Sequence, residues 1–577
     1  MANKLIELRK LMKENNIDAY IITKFDPHQT EYADSYYNAT QFISNFTGSN
    51  ATIVVTDLEA GLWTDNRYFL QAEKELGEEF TLHKMGEKGT IDVLDFASKY
   101  KTIGIDFSTY PAEAGKKLEQ KIKKSNVVSS ANGNLIDIDL ISPLWQNREF
   151  AKRDGIFLFR DDKEESLYLS KINQVRSLMK TPYYIISSLD DIAWVLNIRA
   201  LGEFNTFNFL AYLFIEPKNI ILFIDSISGG GNNIGDVFPE GLEIKPYSEV
   251  FDYIKNKTSG TISIAPARTN YKIYKAVQNP NILKHDITTT LKARKDEQEI
   301  NLIKEANIAD AILHVKFYKW LEENGAGNTE YEIGEKLYSM RMEHGAKNHS
   351  FPPIIGYLEN GAIVHYRAEK DYSKVIQNKG FLLIDSGANY STGTTDITRT
   401  IAMGALSEEE KNNYTYVLKA HIALALQKFP QGTSGIAIDA ITRKPLWDVC
   451  LNYGHGTGHG IGHFLNVHEG PCNISPRGTE PLEAGNVLSN EPGLYITGKY
   501  GIRLENTVLV KNSEHSFLQF ETLSFIPFER NAINENLLTE CELAWLNDYH
   551  KKTYELLENH LTEDEKKWLE KATKIIF

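Results

Sequence analysis

Between Gly454 and Gly470 the chain reads GHGTGHGIGHFLNVHEG, which holds four of its fifteen histidines: His455, His459, His463 and His468. Histidines four apart on a helix share a face and can grip zinc. Here Gly454, Gly456, Gly458, Gly460 and Gly462 alternate with them. Each glycine costs about 1 kcal/mol of helix propensity relative to alanine. The spacing therefore predicts an extended or looping backbone, with glycines where something approaches closely. Imidazoles on such a backbone need partners from elsewhere in the chain.

Four acidic segments offer them. FLLIDSG ends an apolar strand with Asp385, and TTDITRT presents Asp396 eleven residues later. Glu491 stands before Pro-Gly, and Glu505 lies in GIRLEN. The histidine stretch falls between the two pairs. One Asp at a strand end is ordinarily a turn former or cap, and one Glu before Pro-Gly is ordinarily solvated surface. Four such acids beside a glycine-flanked histidine cluster predict an oxygen-rich metal site. Four carboxylates bring a charge of about −4, which two divalent ions balance and a single ion does not. Carboxylate-dominated ligation with one imidazole suits manganese over zinc, though zinc and cobalt can occupy such sites. Two ions about 3.5–4 Å apart can share a bridging water and lower its pKa toward neutrality.

The elements that must position these groups occupy a chain of 577 residues, long enough for two to four domains. A net charge of −14 argues against a nucleic-acid partner. No apolar run approaches the roughly 20 residues of a membrane span. Residues 4–16 read as a charged amphipathic helix with Leu5, Leu8, Leu11 and Met12 on one side, and not as a signal peptide. Cys450, Cys472 and Cys541 lack metal-ligand spacing and cannot all pair, which suits a reducing, cytoplasmic setting. Asn38, Asn45 and Asn50 each begin an N-x-T triplet, read as chance without a secretion signal.

Strands are expected at 18–23, 51–55 and 60–65, giving an α/β start. The order then returns. RKLMK at 9–13 resembles RSLMK at 176–180, AYIIT at 19–23 resembles YYIIS at 183–187, and TIVV followed by Asp65 resembles YLFI followed by Asp225. The offsets are 167, 164 and 160, and they predict two related α/β modules at roughly 1–125 and 150–290. Asp296-Glu-Gln-Glu299 opens a long helix with carboxylates at the positive end of its dipole. That helix runs to about Glu323 and stops at Asn324-Gly-Ala-Gly327. From there to about residue 510 the pattern reads as strands, turns and glycines. The tail, 536–577, reads as helical, with Leu543, Trp545, Leu546, Tyr549, Tyr554 and Leu557 forming an apolar stripe for packing or a subunit contact.

The runs DSGANYSTGTTDITRT (385–400), HGTGHGIGHFLNVHEGP (455–471), NEPGLY (490–495) and GIRLEN (501–506) closely resemble aminopeptidase P, the Xaa-Pro aminopeptidase group of the pita-bread metallopeptidases. FPPIIGYLENGAIVHY (351–366), WTDNRYFLQA (63–72) and LDDIAWVLNIR (189–199) extend the resemblance over nearly the whole chain. It implies a multidomain α/β and α+β protein: creatinase-like α/β domains at 1–125 and 126–292, a pita-bread catalytic domain at 293–515, and a helical C-terminal extension at 516–577. The metal ligands implied are Asp385, Asp396, His459, Glu491 and Glu505. Asp396 and Glu505 bridge two ions, Asp385 completes one, and His459 and Glu491 complete the other. Manganese is the family's usual metal. His365 and His468 are implied to meet the scissile carbonyl, His455 to line the cleft and Arg67 to reach the peptide. Arg503 is implied to steady the carboxylates, and Glu491 to move the proton. His463 departs from a family position that is often small and reads as a bystander. Ala200 departs from a common glycine, outside the chemistry.

The resemblance also implies the reaction. A metal-bridging hydroxide attacks the first peptide bond of peptides with proline second, and the enzyme is a homodimer. Three relatives share the fold. Prolidase has the same ligands but cleaves dipeptides, methionine aminopeptidase lacks the duplicated N-terminal half, and creatinase lacks the metal set. A reading from another class is a non-catalytic pita-bread module that binds peptides or acts as a chaperone. The five intact ligand types speak against it.

Overall fold

Ala19–Thr23 (AYIIT) is buried along its whole length, as a strand covered on both faces must be. In the computed structural model, which describes residues 2–129, 133–151, 153–159, 166–202, 207–224, 241–257 and 259–576, it is central to a six-stranded sheet. On one side it pairs antiparallel with Thr52–Thr56, which pairs antiparallel with Ala60–Thr64, which pairs parallel with Thr81–Lys84. On the other side Thr102–Ile105 and then Asn134–Asp137 add in parallel. Helix Ala2–Glu14 buries Leu5, Leu8 and Met12 in the core of this sheet. Each buried side chain of that size contributes about 1.5–3 kcal/mol.

A second sheet repeats the order strand for strand. Tyr183–Ile186 is its centre. Ala211–Ile215 and Ile220–Ile224 add antiparallel on one side, with Leu242–Lys245 parallel beyond them. Ile262–Ile264 and Pro280–Ile282 add in parallel on the other. The likeness reaches single atoms. The Tyr20 hydroxyl accepts the Leu140 N–H at 3.0 Å, and the Tyr184 hydroxyl, 164 residues on, accepts the Ile287 N–H at 3.1 Å. The repeat read in the sequence is a repeat of fold; of its paired residues, Asp225 lies outside the described ones. Both sheets belong to one compact unit, Met1–Thr289, and the remainder forms a second, Thr290–Phe577.

In the second unit the Asp296 carboxylate accepts the Glu299 N–H at 2.7 Å, and Glu299 reaches back to the Asp296 N–H at 3.0 Å. This capping box opens the helix Glu297–Asn324 where the sequence placed it. The expectation of strands and turns from 327 to 510 needs correction. Helices Glu330–Glu343, Glu408–Ala425 and Gly435–Trp447 lie in that stretch. Thr329–Glu332 and Ser407–Glu410 cap the first two, and those boxes were the signal available. The glycine-rich motifs between the helices masked it.

Helices Glu297–Asn324 and Glu330–Glu343 cover a three-stranded sheet made of Ile354–Tyr357, Phe381–Ser386 and Ile397–Ala402. Helices Glu408–Ala425 and Gly435–Trp447 pack with a six-stranded sheet ordered Lys428–Pro430, Phe517–Thr522, Asn506–Asn512, Val487–Asn490, Gly458–Gly460, Glu469–Ile474. The tail forms helices Glu540–Leu557 and Glu563–Ala572. Leu546, Tyr549 and Leu557 are buried, and Leu543, Trp545 and Tyr554 pack against the same clusters. The apolar stripe of the tail is therefore internal packing. Among the described residues no helix is long and apolar enough to cross a membrane.

Candidate metal centre

Phe381–Ser386 is the middle strand of its sheet, and its register sets Asp385 between Ile354 and Thr398. Asp396 immediately precedes the strand Ile397–Ala402. In the larger sheet Asn490 pairs with Asn506, so Glu491 and Glu505, one residue beyond each, emerge at the same sheet end. The Glu505 N–H donates to the Thr398 carbonyl at 3.0 Å and joins the two sheets there. His459 is the middle residue of Gly458–Gly460, at a bulge against Glu469–Ile474.

These residues converge. Asp396, His459 and Glu505 each offer a ligand atom within 4.8 Å of the others. His459 Nε2 lies 3.4 Å from Asp396 Oδ2 and 3.7 Å from Glu491 Oε1. Arg503 pairs with Asp385 Oδ2, and the Thr398 hydroxyl donates to Glu505 Oε2 at 2.7 Å. The glycines have a geometric cause. A Cβ on Gly458 would stand 2.1 Å from the Ser489 carbonyl oxygen, one on Gly460 2.3 Å from that of Glu469, and one on Gly462 2.5 Å from that of Asn466. What approaches these glycines is neighbouring backbone.

His459 Nδ1 lies 2.9 Å from the Gly460 carbonyl and must donate to it. Its Nε2 then turns a lone pair toward two carboxylates, an arrangement that needs a proton or a cation between them. Burial works against the proton, yet the hydrogen bond to Asp396 and the charge of Glu491 push this imidazole up to about 9. The acids are under matching stress. Burial pushes Glu491 up to about 7. Burial, with the charge of Asp396 added, raises Glu505 well above the carboxylate range. Burial also raises Asp385, against the opposing pull of Arg503. Asp385 Oδ1 and Glu505 Oε1 are buried with no hydrogen-bond partner. Orphaned carboxylate oxygens beside an imidazole lone pair fit a hard divalent cation centre.

The remaining candidates of this unit, His468, His455 and His365, sit around this cluster. The His468 ring stands edge-on to His459 with centroids 4.3 Å apart. His455 donates from Nδ1 to the Gly456 carbonyl at 2.7 Å, so its Nε2 accepts from the Tyr495 hydroxyl at 2.8 Å. Tyr495 in turn accepts from Arg503 at 2.6 Å, which ties His455 to the acids. His365 is half-buried, and the carbonyl of its neighbour Val364 lies 3.5 Å from Arg503 Nη2. Arg67 belongs to the first unit, where its guanidinium makes two 2.8 Å bonds to Asp65. His463 sits apart from the acids, 3.1 Å from the Thr392 carbonyl and 3.7 Å from Glu299.

Sequence reasoning missed Thr398 and Arg399. Arg399 is fully buried and donates to the Glu505 carbonyl at 2.6 Å, the Ile526 carbonyl at 2.6 Å and the Tyr549 hydroxyl at 2.9 Å. It fastens the C-terminal tail to the backbone that carries Glu505. The available signal was three consecutive polar residues, Thr398, Arg399 and Thr400, in a buried strand directly after Asp396.

Comparison with known proteins places this geometry. Residues 301–512 match the profile of metallopeptidase family M24, and residues 516–576 match that of the C-terminal region of peptidase M24. Residues 4–137 and 147–299 match creatinase/prolidase N-terminal domains. The chain is 36% identical to Xaa-Pro aminopeptidase 1 of Dictyostelium discoideum, over 100% of this chain and 96% of that protein. It is 34% identical to aminopeptidase P2 of Arabidopsis thaliana, over 99% and 88% respectively. The crystal structure of X-prolyl aminopeptidase from Caenorhabditis elegans, described as a cytosolic enzyme with a di-nuclear active site, superposes with a TM-score of 0.92. It is 32% identical and covers 100% of this chain and 99% of that one. A prolidase from Thermococcus sibiricus, 24% identical with a TM-score of 0.52 over 64% of this chain and 99% of that one, shares the fold alone. Two creatinase-type domains thus precede a pita-bread domain and a C-terminal region, as the sequence resemblance implied. The chain is a peptidase and belongs to the Xaa-Pro aminopeptidases of metallopeptidase family M24.

Proposed function

We propose that this enzyme hydrolyses the first peptide bond of peptides whose second residue is proline, at a centre of two divalent metal ions. The observation that carries this reading is the convergence of Asp396, His459 and Glu505 beside two buried, unpartnered carboxylate oxygens. In it Asp385, Asp396, His459, Glu491 and Glu505 would hold the ions. Manganese suits so carboxylate-rich a donor set. Divalent ions held there would polarise the scissile carbonyl and acidify a bound water so that hydroxide is available near neutral pH. Glu491 takes the proton of the attacking water and passes it to the leaving prolyl nitrogen. His365 and His468 donate to the developing oxyanion, and loss of one such donor costs about 100- to 1,000-fold in rate. His455, held in one tautomer by Gly456 and Tyr495, lines the cleft, and Arg67 binds the peptide. The prolyl nitrogen carries no hydrogen, so the site need not supply an acceptor for it.

Proline preference rests on what the relatives are named for. A cytoplasmic setting agrees with three free cysteines. A homodimer would need a surface other than the buried tail stripe. The test is hydrolysis of Arg-Pro-Pro against Arg-Ala-Pro, with and without added manganese. The expected outcome is release of Arg from the proline peptide, faster with manganese, and cleavage of the alanine peptide slower by about 100-fold or more. Equal rates on the two peptides would remove the proline claim. Turnover of the dipeptide Arg-Pro without turnover of the tripeptide would favour a prolidase-type dipeptidase.

A further inference from the structure

Glu330 is fully buried in the first turn of the helix Glu330–Glu343, and the chemistry above makes no use of it. A carboxylate in that position is costly unless donors surround it. Four groups do. Its Oε1 accepts the Tyr357 N–H at 2.7 Å and the Asn360 amide at 3.0 Å. Its Oε2 accepts the Tyr366 hydroxyl at 2.8 Å and the Lys374 N–H at 2.8 Å. The positive end of the helix dipole adds to this support. The donors come from both sides of His365 in the chain, so one carboxylate gathers the whole segment 357–374 around itself.

The other side of that segment is docked toward the metal centre. The Val364 carbonyl lies 3.5 Å from Arg503. A Cβ on Gly501 would stand 1.8 Å from the Gly361 carbonyl oxygen, so the two backbones touch. His365 is thus carried on a loop fixed at one side by Arg503 and Gly501 and at the other by Glu330. Donors to an oxyanion are effective only when their place is set before the reaction.

We propose that Glu330, acting through Asn360 and Tyr366, is the positioning residue for His365. The proposal rests on the reading that His365 stabilises the oxyanion. The test is steady-state hydrolysis of Arg-Pro-Pro by the manganese-loaded full chain carrying Tyr366→Phe or Glu330→Gln, each alone and combined with His365→Ala. Glu330→Gln turns an amide N–H toward buried donors and can prevent folding; Tyr366→Phe removes one donor and keeps the ring. The expected result is a fall of about 10-fold in kcat for Tyr366→Phe, with KM within about twofold and metal content unchanged. In the His365→Ala background the same substitution changes kcat less than about twofold, because the group it positions is already gone. An equal loss in both backgrounds would show a general structural effect and overturn the proposal, as would an unchanged kcat in Tyr366→Phe. Wild-type kcat in His365→Ala alone would overturn the role of His365 itself, a separate failure.

Discussion

Asp310 and Glu505 lie in the same unit and are equally withdrawn from water, at 2% and 1% exposure, yet their surroundings differ atom by atom. Around Asp310 every lone pair that matters is met. Oδ1 accepts from Arg341 Nε at 3.1 Å and the Tyr390 hydroxyl at 2.9 Å. Oδ2 accepts from Arg341 Nη2 and the Thr395 hydroxyl, both at 3.2 Å. Burial works against the charge, but Arg341 outweighs it and holds this carboxyl below its ordinary range. Glu505 has one donor on one oxygen and none on the other, with acids for neighbours. The imidazoles divide in the same way. Burial pushes His314, beside Asp310, down to about 4, whereas the acids around His459 push it up to about 9. One cluster is balanced by the protein itself. The other has no such internal partner and needs protons or cations, and that asymmetry sets the proposed metal centre apart from a structural ion network.

The largest way to break this comparison is to neutralise one acid in each cluster. Asp396→Asn should lower kcat/KM on Arg-Pro-Pro by at least about 1,000-fold and reduce bound metal, measured by elemental analysis. Asp310→Asn should lower activity far less per folded molecule. Asp396→Asn with wild-type turnover would falsify the metal-centre reading.

Stability should reverse the ranking. Asp310→Ala leaves Arg341 buried without its partner, at a cost of about 3–5 kcal/mol in urea-induced unfolding. A loss under about 1 kcal/mol would mean that the Asp310 network does not hold the fold. Glu505→Gln should do the opposite in chelator. It removes a buried carboxylate that no group balances, and it should stabilise the metal-free protein by about 1–3 kcal/mol. With saturating manganese the same substitution should destabilise. A destabilised variant under both conditions would place Glu505 with Asp310, as a structural acid.

The contrast also shows what could be read from sequence. The residues proposed as ligands stand in local motifs: the acids Asp385, Asp396, Glu491 and Glu505 stood out in their own short runs, and His459 was singled out among the four histidines by the family resemblance those runs carry. The duplicated sheet was legible because both copies keep apolar strands at nearly constant offsets, and the long helix because Asp296 and Glu299 form its cap within four residues. The balanced network was not legible. Asp310 and Arg341 look like ordinary polar residues on two helices, and their meeting depends on how those helices pack. Thr398 finds Glu505 across 107 residues, and Glu330 reads as a routine first-turn acid until its four donors are seen. Residue type reveals chemistry locally, but which polar group satisfies which is settled only by tertiary structure.

The smallest expected effect follows from the paired imidazoles. Around His314 the facing groups are Asp310, whose backbone carbonyl accepts from Nδ1 at 2.7 Å, Arg341, 3.5 Å from Nε2, and the Tyr318 ring. An imidazole at about 4 in the folded state and near 6.5 when unfolded binds its proton only in the unfolded chain between those values. Its contribution to stability is therefore full above about pH 6.5 and is lost as pH falls toward 4. Glu491, raised by burial to about 7, works in the opposite sense in metal-free protein, so the total slope mixes the two clusters. The difference between wild type and His314→Gln isolates one of them. Urea unfolding in chelator from pH 6.5 to 4 should give the wild type a stability slope steeper by up to about 1.4 kcal/mol per pH unit, one proton's worth. Parallel slopes would mean that His314 is already charged in the folded protein, and the Asp310 cluster would then carry an excess positive charge where the geometry has it balanced.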